Sequence, residues 1–421
     1  MSDGMNRRRF LKVLGVTGGS AAALAGCGIG PEPTEHLVPY VIPPEDQIPG
    51  IPTYYASTCR ECSAGCGIQV KVREGRALKI EGNPLSPVNH GRLCARGQAS
   101  LQGVYNPDRV TGPMQRAATG QFAPITWDDA IATLRAKVAA ARQGGLVFVT
   151  GLESGSFGEL VDEWTKHAGG RHITCEPFGF EALREGNRLA FGDAAVPTYD
   201  FAAAKYIMSF GADFMETWLS PVGYQNAFTK AHSFDSGNAS GMAKFVYVGP
   251  RLPQTALSSD EWLSVTPGTE GQLALAMARV IVRDRLAAVP ADAARLSFPD
   301  PDAVAQAVGL EASVIERLAR EFAVSGGGLA VAGGMAAHYS NGAAIVAAVN
   351  ILNYVAGAVG KTVRFGGELA QGGGSAGRFG DLVDLTADMA AGKVAVLLVH
   401  GADPVYSLGG AFAQAWAKVP F

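Results

Sequence analysis

Four cysteines on the N-terminal side of the chain place the strongest constraint on its fold. The stretch "STCRECSAGCGIQV" contains Cys59, Cys62 and Cys66, and Cys94 follows after 27 further residues. A 4Fe–4S cluster needs four thiolates, and a tight loop can supply three of them while the fourth returns from elsewhere. Apolar residues alternate on both sides of residues 74–75, which predicts a hairpin that brings the chain back towards the loop. The spacing therefore predicts a 4Fe–4S cluster with these four cysteines as its ligands.

Zinc and disulfide bonds are the two alternatives to an iron–sulfur cluster. Structural zinc usually takes two C-x2-C pairs, and no second pair surrounds Cys94. Disulfides suit an oxidising compartment, but six cysteines in 421 residues are too few for a disulfide framework. The clustered spacing favours the iron–sulfur cluster over both.

The first 27 residues carry the features of an export signal. "NRRRFLK" is close to the twin-arginine pattern, with Arg7 and Arg8 as the pair, and the apolar segment that follows is too short to span a bilayer. "LAGC" resembles a lipobox with Cys27 as the lipidated residue; the alternative is an export peptide that is cleaved nearby. Residues 28–52 are rich in proline, which predicts an extended tether. We therefore expect twin-arginine export and a lipid anchor on the periplasmic side of the cytoplasmic membrane.

The rest of the chain has the pattern of an α/β protein. "ITWDDAIATLRAKVAAARQGG" predicts a helix with Thr126 as its N-cap and Asp129 completing a capping box. "GLVFVTG", "KYIMSFGAD", "KFVYVGPR" and "VAVLLVHGADP" are apolar runs that end in glycine turns, which is typical of strands buried in a parallel sheet. Ligands of such sheets bind outside the carboxyl ends of the strands. The turns at Gly211, Gly249 and Gly401 therefore mark the predicted ligand side.

Charge and apolar patterning argue against nucleic-acid binding and against a transmembrane helix. The net charge of −3, without a basic stripe, argues against nucleic acid as a partner. The most apolar helical stretch, residues 343–360, is interrupted by Asn350 and Asn353, so we predict a core helix and no transmembrane helix.

Residues 58–114 resemble the N-terminal iron–sulfur domain of the molybdopterin oxidoreductases, the DMSO reductase superfamily. The shared features are the cysteine spacing and the motifs "EGNP", "LCARG" and "YNPDR". The resemblance implies that Arg96, two residues after the last cysteine, lies between cluster and pterin and conducts electrons; the alternative is a surface arginine. It extends over roughly residues 50–421, and implies an α/β fold. In that fold a small iron–sulfur domain (53–112) precedes Rossmann-like, parallel-sheet molybdopterin-type domains (113–421), which we expect to be truncated at the C-terminus.

In that family the equivalents of "FGAD", "VGPR", "PGTEGQLALAMA" and "HGADP" line a bis-molybdopterin guanine dinucleotide. The residues that the resemblance implies for cofactor binding, if the pterin is retained, are Gly211, Asp213, Arg251, Glu270, Gly401 and Asp403. This chain departs from the pattern, because Asp213 and Asp403 replace common asparagines and Gly249 replaces an aspartate that recognises guanine. Carboxylates near pyrophosphate groups are unfavourable like-charge neighbours. These departures count against a bound pterin cofactor.

The resemblance also locates the ligand of molybdenum, about a dozen residues before the glycine that matches Gly192. Active members have Cys, selenocysteine, Ser or Asp there, whereas this chain has the turn 178–181, "FGFE". Glu181 offers a carboxylate, and Cys175 lies upstream in a predicted strand, where we expect a buried core thiol. No catalytic residue is assigned, and a degenerate metal site is predicted.

Two further stretches, "EPFGFEALREGNRLAFG" and "DEWLSVTPGTEGQLALAMARVIV", resemble the molybdopterin-like part of the iron–sulfur subunit of alternative complex III, a membrane quinol:cytochrome c oxidoreductase. This resemblance implies an electron-transfer subunit without active molybdenum. Its implied partners are a membrane-embedded quinol-binding subunit, a ferredoxin-like iron–sulfur domain or subunit, and c-type cytochrome subunits. The alternatives are an active molybdenum enzyme, such as a polysulfide or thiosulfate reductase, and a structural scaffold.

Overall fold

The computed structural model describes residues 48–117, 119–141, 144–153, 155–176, 180–234, 241–366 and 377–421. The chain divides into two compact units, residues 1–53 and residues 54–421. The predicted export signal with Arg7, Arg8 and Cys27, and most of the predicted tether, lie outside the described residues. The elements below belong to the second unit, apart from the first residue of the first strand.

The described residues contain both strands and helices. The strands are β1 (Thr53–Thr58), β2 (Gly67–Arg73), β3 (Arg76–Gly82), β4 (Met114–Arg116), β5 (Phe122–Pro124), β6 (Leu146–Thr150), β7 (Arg171–Thr174), β8 (Thr198–Tyr199), β9 (Tyr206–Phe210), β10 (Lys244–Val248), β11 (Glu261–Leu263), β12 (Gly328–Ala332), β13 (Val363–Arg364) and β14 (Val396–His400). The helices are α1 (Ala95–Val104), α2 (Trp127–Ala140), α3 (Ser156–His167), α4 (Glu181–Phe191), α5 (Pro221–Ala231), α6 (Gln254–Leu257), α7 (Glu270–Arg283), α8 (Pro301–Val308), α9 (Ala312–Val324), α10 (Gly342–Val355), α11 (Phe379–Ala390), α12 (Pro404–Leu408) and α13 (Gly410–Trp416).

The cysteine region folds around a small sheet in the order β1–β2–β3. Strands β2 and β3 are antiparallel, and the turn between them has φ of 52° at Glu74 and 78° at Gly75. Two successive residues with positive φ match the right-handed twist of a hairpin. The predicted hairpin is confirmed, and it leads the chain to Cys94, which is the N-cap of α1.

Two parallel sheets dominate the rest of the α/β fold, which also contains the short antiparallel pairs β4–β5 and β8–β13; this confirms the predicted fold class. One has the order β14–β6–β7 and the other the order β11–β10–β9–β12, and every adjacent pair in them is parallel. The four apolar runs that predicted strands correspond to β6, β9, β10 and β14, and nearly all their residues are buried or half-buried. Phe210, Val248 and Ala332 are register partners at the last positions of β9, β10 and β12. The turns that follow these strands therefore meet at one edge of the sheet.

The predicted core helix is α10, and it packs against α4, α7 and β12. Asn353 is fully buried there; its Oδ1 accepts a hydrogen bond from the Ala330 N–H (2.9 Å), and its Nδ2 donates to the Ala330 carbonyl (2.7 Å). Strand β12 lies at the edge of its sheet, so the amide takes the place of a neighbouring strand. Among the described residues, no helix is long and apolar enough to cross a membrane.

The predicted helix over residues 127–140 is α2. The Asp129 N–H donates to Thr126 Oγ1 (3.1 Å), and the Thr126 hydroxyl donates to the Asp129 carboxylate (2.6 Å). The cap confirms the sequence signal, because Thr126 satisfies a backbone donor that the first helical turn leaves free. The apolar stripe of α2 is only half-buried.

The substitution Asn353→Ala tests the edge-strand contact. It leaves a buried N–H and a buried C=O of Ala330 without partners, so we expect the free energy of unfolding to fall by about 2–4 kcal/mol. The control Gln306→Ala, on the exposed face of α8, should change it by less than about 0.5 kcal/mol. Urea unfolding of both variants measures the difference, and equal stabilities of the two would contradict the role given to Asn353.

Candidate functional site

The four predicted cluster ligands share one apolar core. Cys59 and Cys66 are buried, and Cys62 and Cys94 are half-buried against the same residues, which include Ile68, Ile80 and Val222. All four thiols are free of disulfide bonds. Val222 comes from α5, so this core also joins the cysteine region to the α/β part of the chain.

The loop that carries the first three cysteines is closed by backbone contacts. The Cys59 N–H donates to the Cys66 carbonyl (2.8 Å), and Gly65 has a φ of 62°. At Gly67 a Cβ would lie 2.6 Å from the Cβ of Ser86. Glycine is therefore required on both sides of Cys66, at one position for its backbone conformation and at the other for space.

A buried asparagine fastens this loop to the segment that delivers the fourth cysteine. Asn89 Oδ1 accepts from the Gly67 N–H (3.0 Å), and Asn89 Nδ2 donates to the carbonyls of Gly67 (2.9 Å) and Arg92 (2.6 Å). Arg92 is two residues before Cys94, so Asn89 sets the position of that cysteine relative to the loop. Sequence reasoning missed this residue; the only signal was its place in the loop "SPVNHGRLC", which is rich in turn formers.

The electrostatics of the thiols fit a cationic group. Burial raises the pKa of Cys59, and it raises the pKa of Cys66 to about 12, with the charges of the other cysteines adding to the rise. Four thiolates in this core would thus repel one another, and bound iron would offset that repulsion because coordination deprotonates a thiol. Among the described residues, no three His, Cys, Asp or Glu side chains are grouped as ligands of a single metal ion. The donor set fits a 4Fe–4S cluster held by Cys59, Cys62, Cys66 and Cys94, and the ligation itself stays a prediction.

Arg96 is half-buried in the first turn of α1, two residues from Cys94. This position is adjacent to the predicted cluster, and the proposed role in conducting electrons stays a prediction.

A cavity of about 710 Å³ lies beside the cysteine loop, and we call it the cluster-side cavity. Its lining combines loop residues such as Cys62 with residues that follow β6, β7 and β14, among them Gly151, Cys175 and Gly401. These are carboxyl ends of parallel strands, as the sequence predicted for a ligand site. Gly401 has a φ of 61°, and a Cβ on Gly151 would lie 2.9 Å from the Gly401 carbonyl oxygen. The predicted turn at Gly401 therefore does line a cavity beside the cysteines.

An ion pair crosses this cavity. Arg60, in the cysteine loop, binds both carboxylate oxygens of Glu153, which follows β6. The Glu153 side chain is only 7% exposed, and His400 Nε2 lies 3.8 Å from its Oε1. Neither residue of the pair was singled out from the sequence, because 93 positions separate them.

A second cavity of about 820 Å³, the distal cavity, shares Leu152, Cys175, Glu176, Tyr406 and Ser407 with the first. It contains part of the turn predicted to hold the molybdenum ligand; Phe178 and Gly179 lie outside the described residues. Glu181 is the first residue of α4, and its Oε2 accepts from the Phe379 N–H (3.0 Å). Cys175 is buried, as predicted for a core thiol, and burial raises its pKa, but it also lines both cavities.

Negative charge dominates the lining of the two cavities. Six carboxylates lie there, and they belong to Glu61, Glu153, Glu176, Glu181, Glu185 and Asp403. The three arginines in the lining all have partners within the chain: Arg60 binds Glu153, Arg184 donates to the Gly377 carbonyl (3.0 Å), and Arg378 donates to Asp381 (3.3 Å). Six carboxylates against three guanidinium groups give the lining side chains a charge of −3, with histidines neutral; Glu185 is also paired with Arg188, which lies outside the lining. Asp403 also caps α12, since its Oδ1 accepts from the Tyr406 N–H (2.9 Å).

The other predicted cofactor residues lie at the edge where β9 and β10 end. Gly211 has a φ of 70°, and Asp213 two residues later is buried. The Tyr247 hydroxyl and Arg251 Nη2 each donate to an Asp213 oxygen at 2.9 Å. Burial raises the pKa of Asp213, and these two donors oppose the rise. The structure thus brings Asp213 and Arg251 together, but as partners of each other.

Glu270 is the first residue of α7 and is almost completely buried. Neither carboxylate oxygen has a partner at hydrogen-bonding geometry, and burial raises its pKa against the nearby backbone N–H groups of Gly268 and Glu270. Burial, and then the charge of Glu270, raise the pKa of Tyr339, which lines the distal cavity. The role of Glu270 in cofactor binding stays a prediction.

Comparison with protein families decides the classification. Residues 52–106 match the molybdopterin oxidoreductase Fe4S4 domain, and residues 109–415 match the molybdopterin oxidoreductase domain. The chain belongs to the molybdopterin oxidoreductase family. The predicted membership of the DMSO reductase superfamily is confirmed. The two matches support a 4Fe–4S cluster and give the chain a domain of the kind that binds molybdopterin.

Several relatives of this molybdopterin oxidoreductase are curated. It is 29% identical to the menaquinone reductase molybdopterin-binding-like subunit of Nitratidesulfovibrio vulgaris, over 89% of this chain and 56% of the relative. It is 34% identical to the molybdopterin-containing subunit of an arsenate respiratory reductase from Shewanella, over 55% of this chain and 28% of the relative. It is 29% identical to the molybdopterin-containing subunit of a thiosulfate reductase from Salmonella typhimurium, over 67% of this chain and 35% of the relative. The chain thus spans about half or less of the length of these relatives.

Among solved structures, acetylene hydratase from Pelobacter acetylenicus superposes with a TM-score of 0.56 and 18% identity. The match covers 72% of this chain and 43% of that enzyme. At this identity the likeness supports the fold.

Replacing one predicted ligand tests the cluster. Cys62→Ser should lower iron content or convert the cluster to a 3Fe–4S form, because serine offers a poorer ligand for iron at one corner. The matched control is Cys175→Ser, a free thiol that lines the same cavity but lies outside the loop. Iron analysis and EPR of both proteins measure the effect. Unchanged iron and an unchanged signal in the Cys62 variant would exclude Cys62 as a ligand.

Proposed function

We propose that this molybdopterin oxidoreductase is an exported electron-transfer subunit, with one 4Fe–4S cluster and without active molybdenum, in a membrane complex that oxidises quinol. The cluster would supply reversible one-electron oxidation and reduction. The four cysteines would hold it, and Arg96 beside Cys94 would conduct electrons. The residues that line the two cavities would carry no catalytic role.

The observation that carries this proposal is the charge of the cavity lining next to the cysteine loop. A bis-molybdopterin guanine dinucleotide brings two pyrophosphate groups, and the lining has six carboxylates and three arginines that are already bonded within the chain. At an effective dielectric constant of about 20, two like charges at about 4 Å repel by about 4 kcal/mol. The residues present do not fit this anionic cofactor, whereas the cysteine core fits its cluster.

The comparisons support a quinone-linked setting. A relative that matches 89% of this chain is a subunit of a menaquinone reductase, whose name describes reduction of the quinone, and that subunit is called molybdopterin-binding-like. We extend this setting to the predicted partners, which are a membrane-embedded quinol-binding subunit, a ferredoxin-like iron–sulfur domain or subunit, and c-type cytochrome subunits. The sequence of residues 1–27 supports twin-arginine export, and "LAGC" supports a lipid anchor at Cys27 on the periplasmic side of the membrane.

A second candidate is an active molybdenum enzyme that reduces a sulfur compound. The similarity to the molybdopterin-containing subunit of a thiosulfate reductase, over 67% of this chain, favours it. This candidate requires the two cavities to hold the dinucleotide in spite of their charge.

Reduction by quinol tests the proposed function. In detergent-solubilised native membranes that contain the whole complex, a short-chain menaquinol should reduce the cluster of this subunit and produce the EPR signal that dithionite produces. A strain carrying Cys62→Ser serves as the control, since it identifies the part of the signal that belongs to this chain. A cluster that dithionite reduces but quinol does not would contradict the proposal, and a cluster that neither reduces would indicate a scaffold.

A further inference from the structure

Two ion pairs at the ligand edges of the two parallel sheets share one arrangement. At the edge of the β14–β6–β7 sheet, Arg60 binds Glu153; at the edge of the other sheet, Arg251 binds Asp213. In both pairs the carboxylate side chain is nearly buried, with 7% and 6% exposed, and the arginine is 55% exposed. A guanidinium group at the carboxyl end of a parallel strand is well placed to bind a phosphate group.

Each carboxylate neutralises the charge of its arginine and accepts from one guanidinium nitrogen, Nη2. Glu153 accepts from Arg60 through both oxygens. Asp213 accepts from Arg251 through one oxygen and from the Tyr247 hydroxyl through the other, at 2.9 Å each. Each arginine is thus bound to a carboxylate of the protein itself. Glu153 and Asp213 follow the buried strands β6 and β9, which hold these carboxylates in place.

Tyr247 adds a steric element at the second edge. Its ring is fully buried, and a Cβ on Gly249 would lie 3.1 Å from Tyr247 Cε1. An aspartate at position 249, which could accept hydrogen bonds from a guanine base, would therefore crowd this ring. The ion pair and the packing of Tyr247 therefore both oppose the binding of a guanine dinucleotide at this edge.

We propose that Glu153 and Asp213 neutralise Arg60 and Arg251, and so disfavour the binding of phosphate-bearing dinucleotides at these two edges of the chain. The proposal rests on the proposed function and deepens it, since it names the residues that keep the pterin-type sites closed. It also gives a reason why this chain would not bind the cofactor, because its own carboxylates neutralise Arg60 and Arg251.

The test removes the charges of the two carboxylates and measures whether phosphate ligands then bind. The double variant Glu153→Gln, Asp213→Asn keeps the size of both side chains and removes both charges, so GDP and inorganic pyrophosphate should bind at least about tenfold more tightly than to the wild type. The control, Glu159→Gln with Glu163→Gln, removes two exposed carboxylates of α3 that lie outside both cavities, and its affinity should equal that of the wild type. Titration calorimetry on cluster-loaded protein measures the affinities, with iron content as the check on folding.

Wild-type protein that binds either probe as tightly as the double variant would overturn the proposal, as would an equal gain in the control. A measurement on the wild type covers the case in which the double variant does not fold. Protein from a host that cannot make molybdopterin should have the same melting temperature and iron content as protein from an ordinary host, and a lower melting temperature would overturn the proposal. These outcomes are independent of quinol reduction, which measures the cluster alone.

Discussion

The pairing of strands in the two parallel sheets places the turns that follow them at shared edges, as the pairing of β9 with β10 and β12 illustrates. Because the three strands end at matched positions, Phe210, Val248 and Ala332, the turns that follow them converge at one edge of the sheet. The β14–β6–β7 sheet repeats the arrangement, and its edge faces the cysteine loop across the cluster-side cavity. Parallel sheets thus provide two ready ligand edges, whose use depends on the side chains placed there.

Those side chains divide the site into a core of four thiols and two cavities with an acidic lining. The cysteine core contains four free thiols, and the hydrogen bonds of Asn89 to Gly67 and Arg92 fasten the segment before Cys94 to the cysteine loop. The cavities next to it are lined by more carboxylates than arginines. Under the proposed function, this excess of carboxylates would repel an anionic dinucleotide.

Local signals in the sequence predicted much of the fold. The apolar runs before Gly151, Gly211, Gly249 and Gly401 are strands, and Thr126 caps the helix that it was expected to cap. The alanine-rich strand β12 was missed, since "GLAVA" between glycines has too little β-branched character to stand out. The division into two sheets was also missed, because strand order depends on packing between distant segments rather than on local pattern.

The site was predictable to the extent that its chemistry lies in short motifs. The cysteine spacing placed four thiols that the structure brings into one core. The ion pair between Arg60 and Glu153 and the hydrogen bonds of Asn89 could not be predicted, because they join residues whose proximity only the folded chain creates. The sequence alone identifies Asp213 as a departure from the family pattern, but its pairing with Arg251 and Tyr247 arises only in the folded chain.

The central claim is a working iron–sulfur cluster beside a site closed to the molybdenum cofactor. Elemental analysis of this chain, purified from its native membranes and separated from any partner subunits, tests it most directly, because iron and molybdenum are counted in one sample. For this chain, the account predicts about four iron atoms and no molybdenum or tungsten. About one molybdenum or tungsten atom per chain would contradict it.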